Sequence, residues 1–368
     1  MIAPVLAVAW LVFAPPGGDA APEQAVPAVA APAEEPNPFL LAVRARLSPE
    51  DAEAFDAMTD AELEALAAKL DTNASLTPRE RAISDALIAV GVADFEAGLS
   101  YQTGDIELGD GLAVLRLGQD FRYLDPDQAN RVLVEAWDNP PGPRTLGMIL
   151  PKDGSLLDPD TGWGVVVTFA ADGHVKDHAA AIDADALLAR LQAQTQERNV
   201  GRVGQGYPPM ALVGWAEAPH YDAATHRVHW AKEVAIEGAP NHALNYAVRI
   251  LGRRGVLEFD AIATMRQLPQ IEPAMDAVLS AVEFSPGHRY EDFDPQVDGV
   301  ADYGIAGLVA GKAPAEPGLF AAVLEFLATV QKFLIAGAFA IWGLFRVLSR
   351  GRKNAPEGGV EGDTDRSA

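Results

Sequence analysis

The sequence predicts an α+β fold: antiparallel sheets packed with helices in a sandwich, preceded by a small helical region and followed by one C-terminal transmembrane helix. Three observations carry this expectation. Strand-like runs are separated by tight hairpin signals rather than by regular crossover helices. Capped, apolar-periodic helices stand at the front of the chain and recur between the strands. A long apolar segment with only Glu325 and Lys332 charged lies at residues 318–345.

The ends set the expected topology. Residues 2–14, IAPVLAVAWLVFA, are too short to span a bilayer and precede Gly18 and Ala20, small residues at signal-peptidase spacing. Residues 1–20 therefore read as a signal peptide, although no Lys or Arg precedes the apolar core. Residues 21–38 continue an Ala/Pro-rich stretch that cannot build a core and reads as an extended linker. At the other end, 326–345 supplies the roughly 20 apolar residues a membrane helix needs, with Lys332 snorkelling. Arg346, Arg350, Arg352 and Lys353 follow directly. By the positive-inside rule they hold residues 346–368 in the cytoplasm and put the body in the periplasm, at the inner membrane.

Residues 39–100 read as helical. Ser48-Pro49-Glu50-Asp51 sets a cap before a first-turn proline, and Thr77-Pro78-Arg79-Glu80 is a capping box ahead of Ile83, Leu87 and Val90. Helices are expected near 49–58, 60–70 and 78–98. Over 101–312 the period changes. Gly109-Asp110-Gly111 joins two short apolar runs as a hairpin, Asp125-Pro126 opens a helix through Trp137, and Gly164–Phe169 is strand-like before an Asp172-Gly173 turn. Asp183 caps a helix to about Asn199. Strands are expected at 211–217, 226–236, 243–251 and 255–263, then a helix over 269–281 and a short VEF strand. This succession resembles the periplasmic photosystem-accessory and Mog1-like sandwich folds, an analogy of fold alone.

The chemistry is sparse. The chain holds 52 acidic and 28 basic residues, a formal charge of −24, which argues against nucleic acid as a partner. No cysteine is present, so thiolate nucleophiles, disulfides and cysteine-ligated metals are excluded. The nucleophile-elbow, HExxH and Walker patterns are absent. Asp158-Pro159-Asp160-Thr161-Gly162 starts like a calcium loop but has Phe169 at the twelfth position, so it reads as a turn. Gly201, Gly204 and Gly206 in VGRVGQGYPP read as a loop. The richest polar run spans Glu217, His220, Tyr221, Asp222, His226 and His229, between Trp215 and Trp230. It reads as a hairpin with the two tryptophans packed across paired strands, and His226 and His229 on opposite faces. Arg249, Arg253, Arg254 and the Gly287-His288-Arg289-Tyr290 run are expected to pair with internal carboxylates.

Three longer stretches are recognisable: YPPMALVGWAEAPHYDAATHRVHWAKE, then LNYAVRILGRRGVLEFDAIA, then FSPGHRYEDFDPQVDGVADYGIAGLVAGK. They resemble the bacterial membrane-anchored proteins of domain-of-unknown-function family 2167, from about Gly104 through the C-terminal hydrophobic segment. That resemblance implies an exported body with a C-terminal membrane segment and transfers no activity or catalytic residue.

The leading functional expectation is a non-enzymatic binding or interaction module, tethered to the lipid bilayer through its C-terminal helix and meeting envelope protein partners. An alternative is a hydrolase-like enzyme drawing on Glu217, His220, Asp222 or His226, a site near Glu217–His229. A third is a sensor of a small cationic ligand, suggested by the acidity. No residue is assigned as catalytic, cofactor-binding or metal-ligating, and no cofactor is expected.

Overall fold

The computed structural model describes residues 37–311, apart from 72–74, 138–141, 143, 159–160, 178–181 and 205–206. The expected signal peptide, the linker up to residue 36 and the 326–345 span lie outside the described residues. Among the described helices none is long and apolar enough to cross a membrane.

Four helices open the fold: α1 (Pro38–Arg44), α2 (Pro49–Asp56), α3 (Asp60–Asp71) and α4 (Pro78–Ala97). Local chemistry sets their starts. The Ser48 hydroxyl accepts from the Asp51 amide at 3.1 Å, and Thr77 and Glu80 form the reciprocal capping box, each helix then beginning on proline. Lys69 reaches Glu80 at 2.5 Å, and that bond with the Thr77 contacts holds the Glu80 carboxyl down to about 2. The helices share their own core of Phe39, Val43, Phe55, Leu66, Ile83 and Leu87. The C-terminal end of α4 instead sends Phe95 into the core of the strand-rich part.

That part holds two antiparallel sheets. A small sheet has the order β1 (Asp105–Leu108), β2 (Ala113–Arg116), β10 (Val282–Phe284). The β1–β2 turn carries three successive left-handed residues, Gly109, Asp110 and Gly111 (φ 58°, 53° and 86°), which explains the Gly-Asp-Gly sequence. The large sheet runs β3 (Phe121–Leu124), β4 (Gly147–Pro151), β5 (Gly164–Ala170), β9 (Val256–Thr264), β8 (Ala243–Leu251), β7 (Arg227–Ile236), β6 (Met210–Asp222), each neighbouring pair antiparallel. The α+β expectation with antiparallel sheets is thus met.

Period-2 alternation gives the large sheet two buried faces. On the first, Tyr246, Val248, Ile250, Leu257 and Phe259 share a core with the small sheet and with α7 (Leu268–Ser280). The second face is covered in two places. At one end Met148, Val166, Ile262 and Val234 pack with Leu133, Trp137 and Leu191. These partners come from a stretch in which α5 (Pro126–Arg131) runs into a π-turn at Val132–Ala136, and from α6 (Ala184–Gly204). At the other end Val228, Trp230, Ala247 and Leu251 meet α8 (Ile305–Val309).

One loop expectation is corrected. Gly201 and Gly204 are the last turn of α6, not a loop. The helix continues past Asn199 because tertiary bonds outweigh glycine's low propensity. Asn199 binds both the amide and the carbonyl of Met210, and the Arg202 Nε donates to Pro208 O at 3.2 Å.

Candidate functional site

The head of the β6–β7 hairpin gathers the polar run that the sequence singles out. Strand β6 is irregular, with register shifts between Leu212 and Gly214, Trp215 and Glu217, and Glu217 and His220. Each shift breaks the two-residue alternation. As a result Glu217 and His220, three positions apart, both sit opposite first-face residues of β7: Glu217 pairs with Ala231 and His220 with His229.

On that face His229 Nε2 lies 2.9 Å from Glu217 Oε1, and the His220 and His229 rings have centroids 5.4 Å apart at 49°. Both members of the Glu217–His229 pair are about a third exposed (31% and 27%), so the group faces solvent from the rim of the core. Tyr246 on β8 joins it. Burial, then a bond to Glu217 and its charge, push the phenol well above its ordinary range. Glu272 and Asp276 of α7 add negative charge from the facing side. Arg227, beyond His229 on the same face, is committed to the Leu279 carbonyl at 2.9 Å.

His226 goes the other way. It adopts a left-handed backbone (φ 51°) at the end of the turn, and its ring stacks on Tyr290 with centroids 4.0 Å apart. The Tyr221 hydroxyl lies 3.2 Å from both His226 Nδ1 and Asp177 Oδ2. Behind Tyr290 the stack continues through His174 (4.3 Å) to Phe293 (3.9 Å). Tyr290 is pinned at both ends of a chain contact, its hydroxyl donating to Val175 O at 3.0 Å and accepting from the Asp177 amide at 3.1 Å. Burial and the Asp177 charge push its phenol up to about 12.

Asp222 is a turn residue. It accepts from the Ala224 amide at 2.9 Å and the Thr225 hydroxyl at 2.7 Å, bonds that hold its carboxyl below the ordinary range. The four residues considered for a hydrolase therefore do not meet. Glu217 and His220 come together with His229, while His226 lies on the second face and Asp222 closes the turn.

Between the two covered ends of the second face runs a buried polar tract that strand alternation alone does not announce. Lys232 lies 5.9 Å and 5.8 Å from the rings of Trp215 and Trp230, so the two tryptophans bracket its ammonium. Burial, reinforced by Arg249, lowers the Lys232 amine to about 7. Arg249 Nη2 donates to both oxygens of Asp260 at 3.1 Å, and its Nε lies 3.3 Å from Glu258. Burial opposes the Arg249 charge, but Asp260 and Glu258 outweigh it. The other arginines are internally paired as expected: Arg253 and Arg254 converge on Asp298 at 2.7 and 2.5 Å, and Arg289 meets Glu283 at 2.9 Å.

The segment from Ser285 to Asp298 supplies Tyr290, Phe293 and the Arg-binding Asp298, so the FSPGHRYEDFDPQVDG stretch is built for this packing. The model of the family described as protein of unknown function (DUF2167) matches residues 100–341. The chain belongs to that family. The DUF2167 match spans both sheets and all of the hairpin head, and begins as α4 ends. No curated protein matches the chain. Among solved structures, cyanobacterial PsbP (CyanoP) from Synechocystis sp. PCC 6803 is similar at 14% identity and a TM-score of 0.28, covering 50% of this chain and 93% of that one. At that score the similarity carries no argument about this DUF2167 protein. Among the described residues, no group of three or more His, Asp or Glu is arranged to hold a metal ion.

Proposed function

We propose that the chain is an extracytoplasmic interaction module, tethered at the inner membrane by residues 326–345, with the first-face rim of the β6–β7 head as its recognition surface. One observation carries the reading. Glu217, His220 and His229 stand together at the sheet's rim, with Glu217 and His229 about a third exposed and His220 exposed. Grouped donors and acceptors on a rigid hairpin suit recognition of a polar surface. The apolar segment followed by Arg346, Arg350, Arg352 and Lys353 supports the tether.

The test is in-cell photocrosslinking from position 218, an exposed alanine beside the group, in the full chain, with reporter fusions at residues 312 and 368. A discrete crosslinked envelope protein, with the first fusion active outside and the second inside, is the expected result. A cytoplasmic reading at residue 312, or no discrete crosslink under several growth conditions, overturns it. A second reading, a hydrolase with His229 as general base oriented by Glu217, rests on their 2.9 Å contact. Ester and amide hydrolysis that survives in both Glu217→Gln and His229→Ala removes it.

A further inference from the structure

The cross-strand pair at the rim has the geometry of a chelate. His220 and His229 are direct partners in the β6–β7 register, and their ring centroids lie 5.4 Å apart. Metal–imidazole bonds of about 2.0 Å at a tetrahedral angle hold two ring centroids about 5 Å apart, close to the separation of these two rings. Glu217 adds the second requirement. A carboxylate 2.9 Å from His229 Nε2 fixes the proton on that nitrogen and leaves Nδ1 with the free lone pair. Metal-binding histidines are commonly oriented in this way, their other ring N–H donated to a carboxylate. In this arrangement Glu217 orients a ligand without being one.

The surroundings favour a cation. Glu217 and Asp222 from the hairpin and Glu272 and Asp276 from α7 face the rim, against Arg227, whose guanidinium is turned to Leu279 O. The absence of cysteine removes thiolates as softer competing ligands. We propose that His220 and His229 chelate one borderline divalent cation, of the Cu2+, Ni2+ or Zn2+ class, through two imidazoles with water completing the coordination. The bulge between Glu217 and His220 makes the site, because without it their side chains would leave opposite faces of β6. This goes beyond the interaction reading and does not require it, since binding of a cation can be measured with no partner present.

The experiment titrates copper sulfate into the purified full chain and follows it by electron paramagnetic resonance and calorimetry, with zinc chloride as competitor. One copper per chain, a nitrogen pattern of two imidazoles and displacement by zinc are expected. His220→Ala and His229→Ala should each abolish the two-imidazole spectrum. Glu217→Gln should weaken binding by about 10- to 100-fold. His242→Ala, which removes the exposed imidazole beside Glu233, should change nothing. Unchanged binding in His220→Ala, or a one-imidazole spectrum in the parent chain, overturns the proposal. A measurement that needs no variant guards against misfolding. Substoichiometric copper should broaden the His220 and His229 ring protons first, and broadening elsewhere that spares both overturns it. A failed crosslink at position 218 in a chain whose copper site is intact would dispose of the interaction reading alone.

Discussion

The His226 ring lies face to face with Tyr290 at 4.0 Å, although the His226 backbone is left-handed, a conformation most side chains avoid. The contact ties the tip of the β6–β7 hairpin to the Ser285–Asp298 segment, where Tyr290 also stacks on His174. A costly backbone conformation persists where the surrounding contacts hold it. Here the side chain closes a four-ring stack and meets Tyr221.

The two effects can be separated by substitution. His226→Ala keeps a β-carbon in the left-handed region and loses the ring, so it should cost about 1–2 kcal/mol. His226→Gly loses the same ring but relieves the backbone, recovering about 1 kcal/mol. Glycine should therefore be the better replacement, and urea unfolding of the two variants checks the order. Equal stabilities would mean that the backbone is not strained there.

Asp298 makes the acid limb of stability. The Arg253 bond first, then its Asp294 and Arg254 contacts, hold its carboxyl far below the ordinary value. A carboxylate whose folded pKa is depressed contributes stability above its unfolded value of about 4, and loses it as pH falls below that. Asp298→Asn should lower the melting temperature at pH 7 and flatten its decline between about pH 4 and pH 2. A decline as steep as the parent's would assign the acid sensitivity elsewhere.

How much of this was legible depended on whether local or distant forces decide. The starts of α2, α4 and α5 are set by Ser48, Thr77 and Asp125 within a turn of themselves, and the sequence shows them. The central strands β8 and β9 announce themselves by β-branched and apolar runs. The pairing of β2 with β10 joins distant segments and has no local signal. Nor does the end of α6, where Asn199 holds the helix to β6 through two glycines. The site shows the same limit. Regular alternation puts Glu217 and His220 on opposite faces, and only the unpredicted bulge between them unites the rim group. Internal pairing of the arginines was readable from the excess of acid, but which carboxylates they meet was not.

Lys232 is a built-in cost near neutral pH. Its folded pKa is lowered to about 7, so the folded state binds fewer protons than the unfolded chain between there and about 10. Stability should therefore rise with pH across that window, the penalty being fully present below about 7. Lys232→Met retains the apolar stem between Trp215 and Trp230 and removes the charge. It should raise stability at pH 7 by about 1 kcal/mol or more and flatten the slope up to pH 10. Chemical unfolding of both chains at pH 6.5, 8 and 9.5 measures the difference, and parallel slopes would refute it.

The β6 edge of the large sheet is closed by side-chain amides. Met210 turns its N–H and C=O to Asn199, at 2.9 and 2.7 Å, and Gln192 Nε2 donates to Leu212 O at 3.1 Å. An edge strand with free backbone groups is a template for pairing with another chain. The α6 amides occupy the regular first part of that edge, and the bulges distort the remainder. Asn199→Ala frees both Met210 groups, which should cost about 1–3 kcal/mol. It should also promote association through the opened edge. Light scattering across a concentration series should show the Asn199→Ala chain forming dimers or larger species at concentrations where the parent's mass stays constant. Asn199→Gln, whose longer side chain keeps the amide, should fall between the two. A destabilised variant whose mass stays independent of concentration would show that the bonds hold α6 in place without guarding the edge.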